Sequence, residues 1–378
     1  MPEIEELNAF DAIAKLRDTW RALLDRTEQA NFLQTFEWFQ AWWRHYGEPQ
    51  QDRLRFLVVT ESGVPIGLMP LVVHRKPSKT GRLRILGYPQ GSWGSFYHPI
   101  GPEPAQTMAA GFRHIRHTRR DWDVLEPSWV DADGTDAGRT QQALHEAGFR
   151  LFRSIQTDTS LIDIREGWEA YLKSRTSKWR NNLKRWERRL GEEGEIRHIR
   201  NRPSGADGDN APDWALYETS EDIAARSWQA ASPDGTTLSH ESVRPFLRDV
   251  TRLAAELGGL DLNVMFLGDK PLAFAYNLVH RGYVIGLRIG YDPDVSKSGP
   301  GNLLYVYAIR DSCARGDTLY DMGPGSSDMK RELRSELRPI YRYTHVAALT
   351  PRALALRLKR FREDRELTRI RLSERAPG

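Results

Sequence analysis

The chain has 378 residues, of which 39% are hydrophobic and 28% charged, with a formal net charge of +4. These proportions describe a globular protein with a full core and room for two lobes, and they exclude a disordered chain. No apolar run approaches a membrane span, the opening residues carry no secretory pattern, and the single cysteine, Cys313, excludes an internal disulfide, so a reducing, cytoplasmic setting is expected.

From the N-terminus, Phe10, Ile13, Leu16, Trp20, Leu23 and Leu24 recur near helical spacing and predict a helix within 7–29. A second helix is predicted over 35–46, where Phe36, Phe39, Trp42, Trp43 and Tyr46 form an aromatic stripe. The stripe serves either core packing or substrate stacking. A hairpin follows at 53–73, turning on Ser62-Gly63-Val64-Pro65, and then a strand at 82–88. The Gly- and Pro-rich loop 89–104 carries Trp93, Phe96, Tyr97 and His98, which either line a cleft or cover the sheet. A helix at 106–118, a strand at 122–127 and a further helix and strand separated by Gly148 complete the first half.

Between the halves, a strand is predicted at 158–164 and a long basic helix at 168–190. Leu172, Trp179, Leu183, Trp186 and Leu190 share one helical face, and Lys178, Arg185 and Arg189 share another, flanked by Arg180, Lys184 and Arg188. That second face is either solvated or turned to a phosphate-bearing ligand. Helices at 214–227 and 241–257 enclose the loop 229–239, a candidate lid.

The most informative stretch is 260–349. Three strands, at 264–267, 272–279 and 283–291, are joined by turns at Gly268-Asp269-Lys270 and His280-Arg281-Gly282. A Gly-rich turn then opens a helix that Gly316 closes, a short strand at 318–322 follows, and a second Gly-rich turn opens another helix. Turns of that kind present free backbone N–H groups, suited to an anionic ligand. The tail from 350 is cationic, with Leu354, Leu358 and Phe361 on one face: a docking helix, or a peripheral membrane contact.

Five stretches in this order, RSWQ (226–229), PLAFAYNL (271–278), GYD (290–292), SGPGNLL (298–304) and YDMGPGSSDMK (320–330), resemble the CelD/BcsL-like family of GNAT-type acyltransferases, relatives of the FemABX peptidyltransferases. The basic run KSRTSKWRNNLKRWERRL (173–190) and, more weakly, QTFEWFQAWWRHYG (34–47) extend the resemblance over most of the chain. It implies an α/β (α+β) fold of two GNAT-like lobes, each a mixed, mostly antiparallel sheet flanked by helices. The expected division is 1–157, 158–349 and a basic tail at 350–378. The first lobe has no counterpart of SGPGNLL and is expected to be degenerate.

The implied activity is transfer of an acyl group from acyl-CoA, acetyl-CoA in the first instance, to an amine. An amino sugar of a polysaccharide or cell-envelope precursor is the implied acceptor class. Such a reaction needs the donor held by its phosphates, the amine deprotonated and the oxyanion stabilised. Lys297, Ser298, Gly299, Gly301, Asn302 and Arg288 are the candidates for holding the donor, although Pro300 removes one N–H from that turn. The resemblance points to Asp321 and Lys330 as cleft residues, and Tyr276 joins them as a catalytic candidate on the neighbouring strand. Asp321 has a second reading, as a side chain holding the backbone of the following Gly turn, and Lys330 another, as a surface pair. Trp228, Arg226, Tyr291, Asp328, Lys178 and Arg180 are the candidate substrate contacts. The sequence offers no ligand cluster for a metal, no Walker lysine loop and no nucleophile elbow. Two alternatives stand beside this reading: a FemABX-like transferase that takes its aminoacyl group from tRNA, and a non-catalytic interaction module.

Overall fold

Ser62 and Gly63 both adopt positive φ, 50° and 77°, the backbone that folds one strand directly onto the next. This turn sits in a computed structural model that describes residues 2–78, 81–91, 93–227, 237–294, 299–325, 327–347 and 351–375. The chain divides into two compact units, Met1–Thr159 with Arg338–Gly378, and Ser160–Leu337.

Unit 1 opens with β1 (Glu3–Leu7), α1 (Phe10–Ala14), α2 (Arg17–Leu24) and α3 (Phe36–Trp42). It continues through β2 (Arg53–Glu61), β3 (Val64–Ser78), β4 (Gly81–Gly87), α4 (Pro104–His117), β5 (Val124–Leu125) and α5 (Arg139–Glu146). The chain leaves this unit along β6 (Phe152–Asp163). The next elements are α6 (Gly167–Ser174), α7 (Ser177–Glu193), β7 (Ile196–Asn201), α8 (Trp214–Arg226) and α9 (Arg244–Glu256). Then come β8 (Leu260–Leu267), β9 (Lys270–His280), β10 (Tyr283–Tyr291), α10 (Pro300–Ala314), β11 (Leu319–Pro324) and α11 (Asp328–Leu333). β12 (Glu336–Val346) and α12 (Pro351–Arg375) close the chain.

In unit 1 the strand order is β1-β2-β3-β4-β5-β12, antiparallel except for the parallel β4/β5 pair. Trp20 anchors the core beside the sheet, with ring centroids 5.3 Å from Phe56, 5.4 Å from Phe39 and 5.7 Å from Phe36. The aromatic stripe of α3 is therefore core packing. Trp93, Phe96, Tyr97 and His98 are likewise buried inside this unit.

In unit 2 the order is β11-β10-β9-β8-β7, antiparallel except for the parallel β10/β11 pair. Each unit thus carries a mixed, mostly antiparallel sheet with helices, as expected. α10 packs on one face of the unit 2 sheet, and Trp179, Leu183 and Leu190 of α7 share its apolar cluster. α8 and α9 cover the other face, clipped together where Glu221 accepts from both Arg244 and Arg248.

Several elements differ from the sequence expectation. The opening helix expected within 7–29 is two short ones, α1 and α2, and residues 3–7 before it form a strand that pairs with β2 from Glu3↔Thr60 to Leu7↔Phe56. The long basic helix is two, since the Thr176 side chain accepts from the Trp179 amide and starts a new helix. β7 and β12 were not anticipated. β12 pairs with β5 at His345↔Leu125 and Val346↔Val124, which brings the end of the chain into unit 1 rather than into the second half.

A buried ionic knot ties β7, β8 and α10 together. Arg200 donates to both oxygens of Asp261, at 2.6 and 2.9 Å, and also to Asp311 and Ser312. Asn263 and Asn277 supply further donors to Asp261, which has no exposed surface. Burial raises the Asp261 pKa, but Arg200 outweighs it and holds the carboxyl below its usual 3.8. A depressed carboxyl contributes stability that is complete above its unfolded pKa and is lost as pH falls through the folded value. Asp261→Ala takes away the fully buried partner of Arg200 and leaves it Asp311, and is expected to lower the unfolding free energy by about 1–3 kcal/mol in urea titrations at neutral pH. A loss below about 1 kcal/mol, the range of an exposed pair, contradicts this account.

Candidate active site

The site is built where β10 and β11 part. Their parallel register runs for three pairs, from Tyr283↔Leu319 to Ile285↔Asp321, and then stops. Gly286 and Gly323 mark the last contact: a Cβ on Gly323 would lie 2.6 Å from the Gly286 carbonyl oxygen, and one on Gly286 would lie 3.2 Å from that of Asp321. Gly323 also needs its φ of 78°, so that position requires glycine. One residue later β10 bulges. Gly286 pairs with Asn277 and Arg288 with Tyr276, which leaves Leu287 as the extra residue. From Gly286 to Tyr291, β10 has no strand partner on its β11 side among the described residues.

Three side chains hold this opening. Asp321 is fully buried, its Oδ1 accepting from the Gly323 amide at 2.9 Å and its Oδ2 from the Tyr283 hydroxyl at 3.5 Å. Lys330, in the first turn of α11, reaches back to the carbonyls of Gly323, Pro324 and Gly325 at 2.8, 2.9 and 3.4 Å. Burial pushes its ammonium down to about 8, Asp321 opposing the shift and Arg288 adding to it. Three carbonyl acceptors are the surroundings of a protonated amine, so we take Lys330 as charged and structural at neutral pH. Arg288 is half-buried on the open edge of β10.

The start of α10 closes the other side. Gly299 is its N-cap at φ 71°, and Pro300 occupies the first position without an N–H. First-turn amides have no intrahelical acceptor, and those of Gly301 and Asn302 find none among the described residues. The Asn302 side-chain oxygen is buried and finds no partner among the described residues. Both glycines also answer to packing: a Cβ on Gly299 would meet the Trp186 ring at 3.0 Å, and one on Gly301 would meet Tyr291 at 3.3 Å. Trp186 was read only as a core residue of the basic helix. Its contact with a turn 113 positions later has no local signal.

The sequence candidates therefore fall into two groups. Arg288, Tyr291, Gly299, Gly301, Asn302, Asp321 and Lys330 gather at this end of the unit 2 sheet. Tyr276 lies opposite Arg288 in register, but it is buried, its hydroxyl shared with Thr251 at 2.9 Å and its ring packed edge-on to Tyr217. Arg226 pairs with Asp292 at 3.1 Å, so two of the sequence motifs, RSWQ and GYD, bind one another. Asp328 is exposed and pairs with Arg331. Arg180 donates to the carbonyls of Lys173 and Arg175 at the end of α6, while Lys178 is exposed with Lys184, Arg185, Arg188 and Arg189. Trp228, Lys297, Ser298 and most of the candidate lid lie outside the described residues.

Residues 177–331 match the profile of the family described as Acetyltransferase (GNAT) domain. The matched segment lies within unit 2. No curated protein matches the chain in sequence. Among solved structures, FemX aligns with a TM-score of 0.62 at 12% identity, covering 91% of this chain and 97% of that one. A conserved protein of unknown function from Bacteroides thetaiotaomicron gives 0.51 at 11% identity, over 92% and 100% of the two chains. The C-terminal domain of a protein described as a lysylphosphatidylglycerol synthetase, from Agrobacterium fabrum, gives 0.50 at 14%, over 91% and 94%. At such identities these likenesses concern the fold alone.

Asp321→Ala removes the acceptor of the Gly323 amide and is expected to cost about 1–3 kcal/mol of stability. Asp321→Asn keeps an oxygen there and should cost clearly less. Equal losses in urea unfolding would mean that the charge, not the backbone bond, sets the turn.

Proposed function

We propose that this protein is an N-acyltransferase that moves an acyl group from acyl-CoA to an amine, with its reaction centre in unit 2. The observation that carries the reading is the stretch of β10 from Gly286 to Tyr291 that β11 does not pair, ending at the first-turn amides of α10, which have no acceptor among the described residues. The pantetheine arm of coenzyme A contains two amides in an extended chain, and an extended chain pairs with an open strand edge. Its phosphates then reach the Gly301 and Asn302 amides, where the helix dipole favours negative charge. Only two amides are available there, so Arg288 is the proposed additional cationic contact.

In the proposed reaction the amine nitrogen attacks the thioester carbonyl. The C–N bond forms, the C–S bond breaks, and the proton given up by the amine nitrogen ends on the thiolate, which leaves as coenzyme A. Backbone N–H groups of β10 beside the Leu287 bulge are preorganised donors for the oxyanion, and a fixed donor there is worth about 10²–10³ in rate. Asp321 and Lys330 are proposed as positioning residues. Their hydrogen bonds to backbone hold the end of β11 clear of β10. The CelD/BcsL resemblance supports an amino sugar as acceptor and polysaccharide or cell-envelope synthesis as setting.

A thermal-shift series with coenzyme A esters, followed by a thiol-release assay with amines including amino sugars, tests this reading. Acetyl-CoA is expected to raise the melting temperature, since it binds the folded state, and thiol release should depend on the amine. No shift with any ester, together with a salt-dependent shift by charged tRNA, would favour the exposed cations of α7 as an RNA contact and an aminoacyl donor instead. Binding without turnover of any amine would favour the interaction module.

Asp321→Asn is expected to keep turnover within a few-fold of the parent. A fall of about 10²–10⁴ with donor binding intact would make Asp321 the general base.

A further inference from the structure

Helix α12 has two apolar-containing faces: one fastens it to unit 1, and the other is exposed, although Phe361 on it also meets Phe152 of β6 with ring centroids 6.3 Å apart. Leu356 packs against Leu83, Ile85 and Val124 of the unit 1 sheet. One turn on, Arg360 donates to both oxygens of Glu126, at 3.0 and 2.6 Å, and Glu363 pairs with Arg342. Positions 356, 360 and 363 are one helical stripe, and they fasten the helix to unit 1. Leu354, Leu358 and Phe361 each stand two residues before one of these anchors. Two residues are about 200° of helical rotation, so this second stripe points away from the first.

That outer stripe is exposed: 48% for Leu354, 52% for Leu358 and 44% for Phe361. The other large exposed hydrophobics among the described residues, Val64, Ile199 and Trp214, stand singly on three different elements. Scattered apolar residues need no explanation, whereas three in line on one helix do. The stripe is rimmed by exposed Arg357, Lys359, Arg362, Arg365 and Arg369, with Glu366 the exposed acid among the described side chains of the same stretch. Arg365 lies over the Phe361 ring at 5.6 Å. An apolar line inside a cationic margin matches an anionic bilayer, where leucine and phenylalanine enter the acyl boundary and arginines reach up to headgroup phosphates. A second copy of the chain would instead oppose like charges across the seam. No helix of the described residues is long and apolar enough to cross a membrane, so the contact is a surface one.

We infer that α12 is a peripheral membrane-docking helix that lays Leu354, Leu358 and Phe361 into an anionic lipid surface. The inference stands on unit 1 and is independent of the reaction proposed for unit 2.

Sedimentation of the full chain with vesicles tests it, using phosphatidylcholine alone and phosphatidylcholine with phosphatidylglycerol. The protein is expected to pellet with the anionic vesicles, less so at high salt, and to remain in solution with the neutral ones. Leu354→Ser with Leu358→Ser, both exposed and neither among the anchors, should weaken that binding about tenfold or more at an unchanged melting temperature. Arg357→Glu with Arg362→Glu should weaken it similarly. Failure of the parent to pellet with anionic vesicles overturns the inference, as does equal pelleting of the double serine variant. A concentration-dependent dimer that the serine variant abolishes, without vesicle binding, would assign the stripe to a second copy and overturn it as well.

Discussion

Asp321 spends its carboxylate on the backbone of its own strand end. Its bond to the Gly323 amide, with the bonds from Lys330 to the three carbonyls that follow, fixes the course of the chain after β11. That course takes β11 away from β10 just where β10 bulges. If β11 stayed in register, the β10 edge would be filled by a neighbouring strand and nothing would remain for a ligand. A sheet edge that a neighbouring strand leaves is a place where an extended ligand or partner can add. The opening also gathers Arg288, Tyr291 and the first turn of α10.

Unit 1 repeats the order of unit 2, with three antiparallel strands, a helix, a parallel strand and a helix. Its chemistry differs at the corresponding points. β5 is two residues long and is paired on its other side by β12. α4 begins behind Glu103, whose side chain would repel a phosphate at a helix N-terminus, whereas α10 begins behind a glycine in the left-handed conformation. The corresponding helix starts therefore differ in chemistry, and we propose that unit 1 has no donor turn of its own.

How much of this the sequence reveals depends on the range of the determining interaction. The hairpins of β8, β9 and β10 and the helix opened by SGPGNLL are set by neighbouring residues, and their turns are visible in the chain. The break before α7 was legible in principle, because Thr176 precedes Trp179 at N-cap spacing, but the apolar period running through it concealed the restart. β7 was not legible: its residue Arg200 turns inward to Asp261, 61 positions away, so the usual apolar alternation is absent. Arg226 and Asp292 likewise belong to separate motifs, RSWQ and GYD, and nothing local signals their pairing. Glycines 299 and 301 were read as an anion turn from local pattern. The rings of Trp186 and Tyr291 supply a second reason for them that only packing discloses.

The central claim is that a coenzyme A thioester completes the open edge of β10. Hydrogen–deuterium exchange of the amides from Gly286 to Tyr291 and of the first turn of α10, with and without acetyl-CoA, tests it most directly. The account predicts slowed exchange at both places on addition of the ligand, with little change in the amides of β2 and β3 in unit 1. Protection confined to the α7 face, or unchanged exchange along β10 at saturating acetyl-CoA, would contradict it.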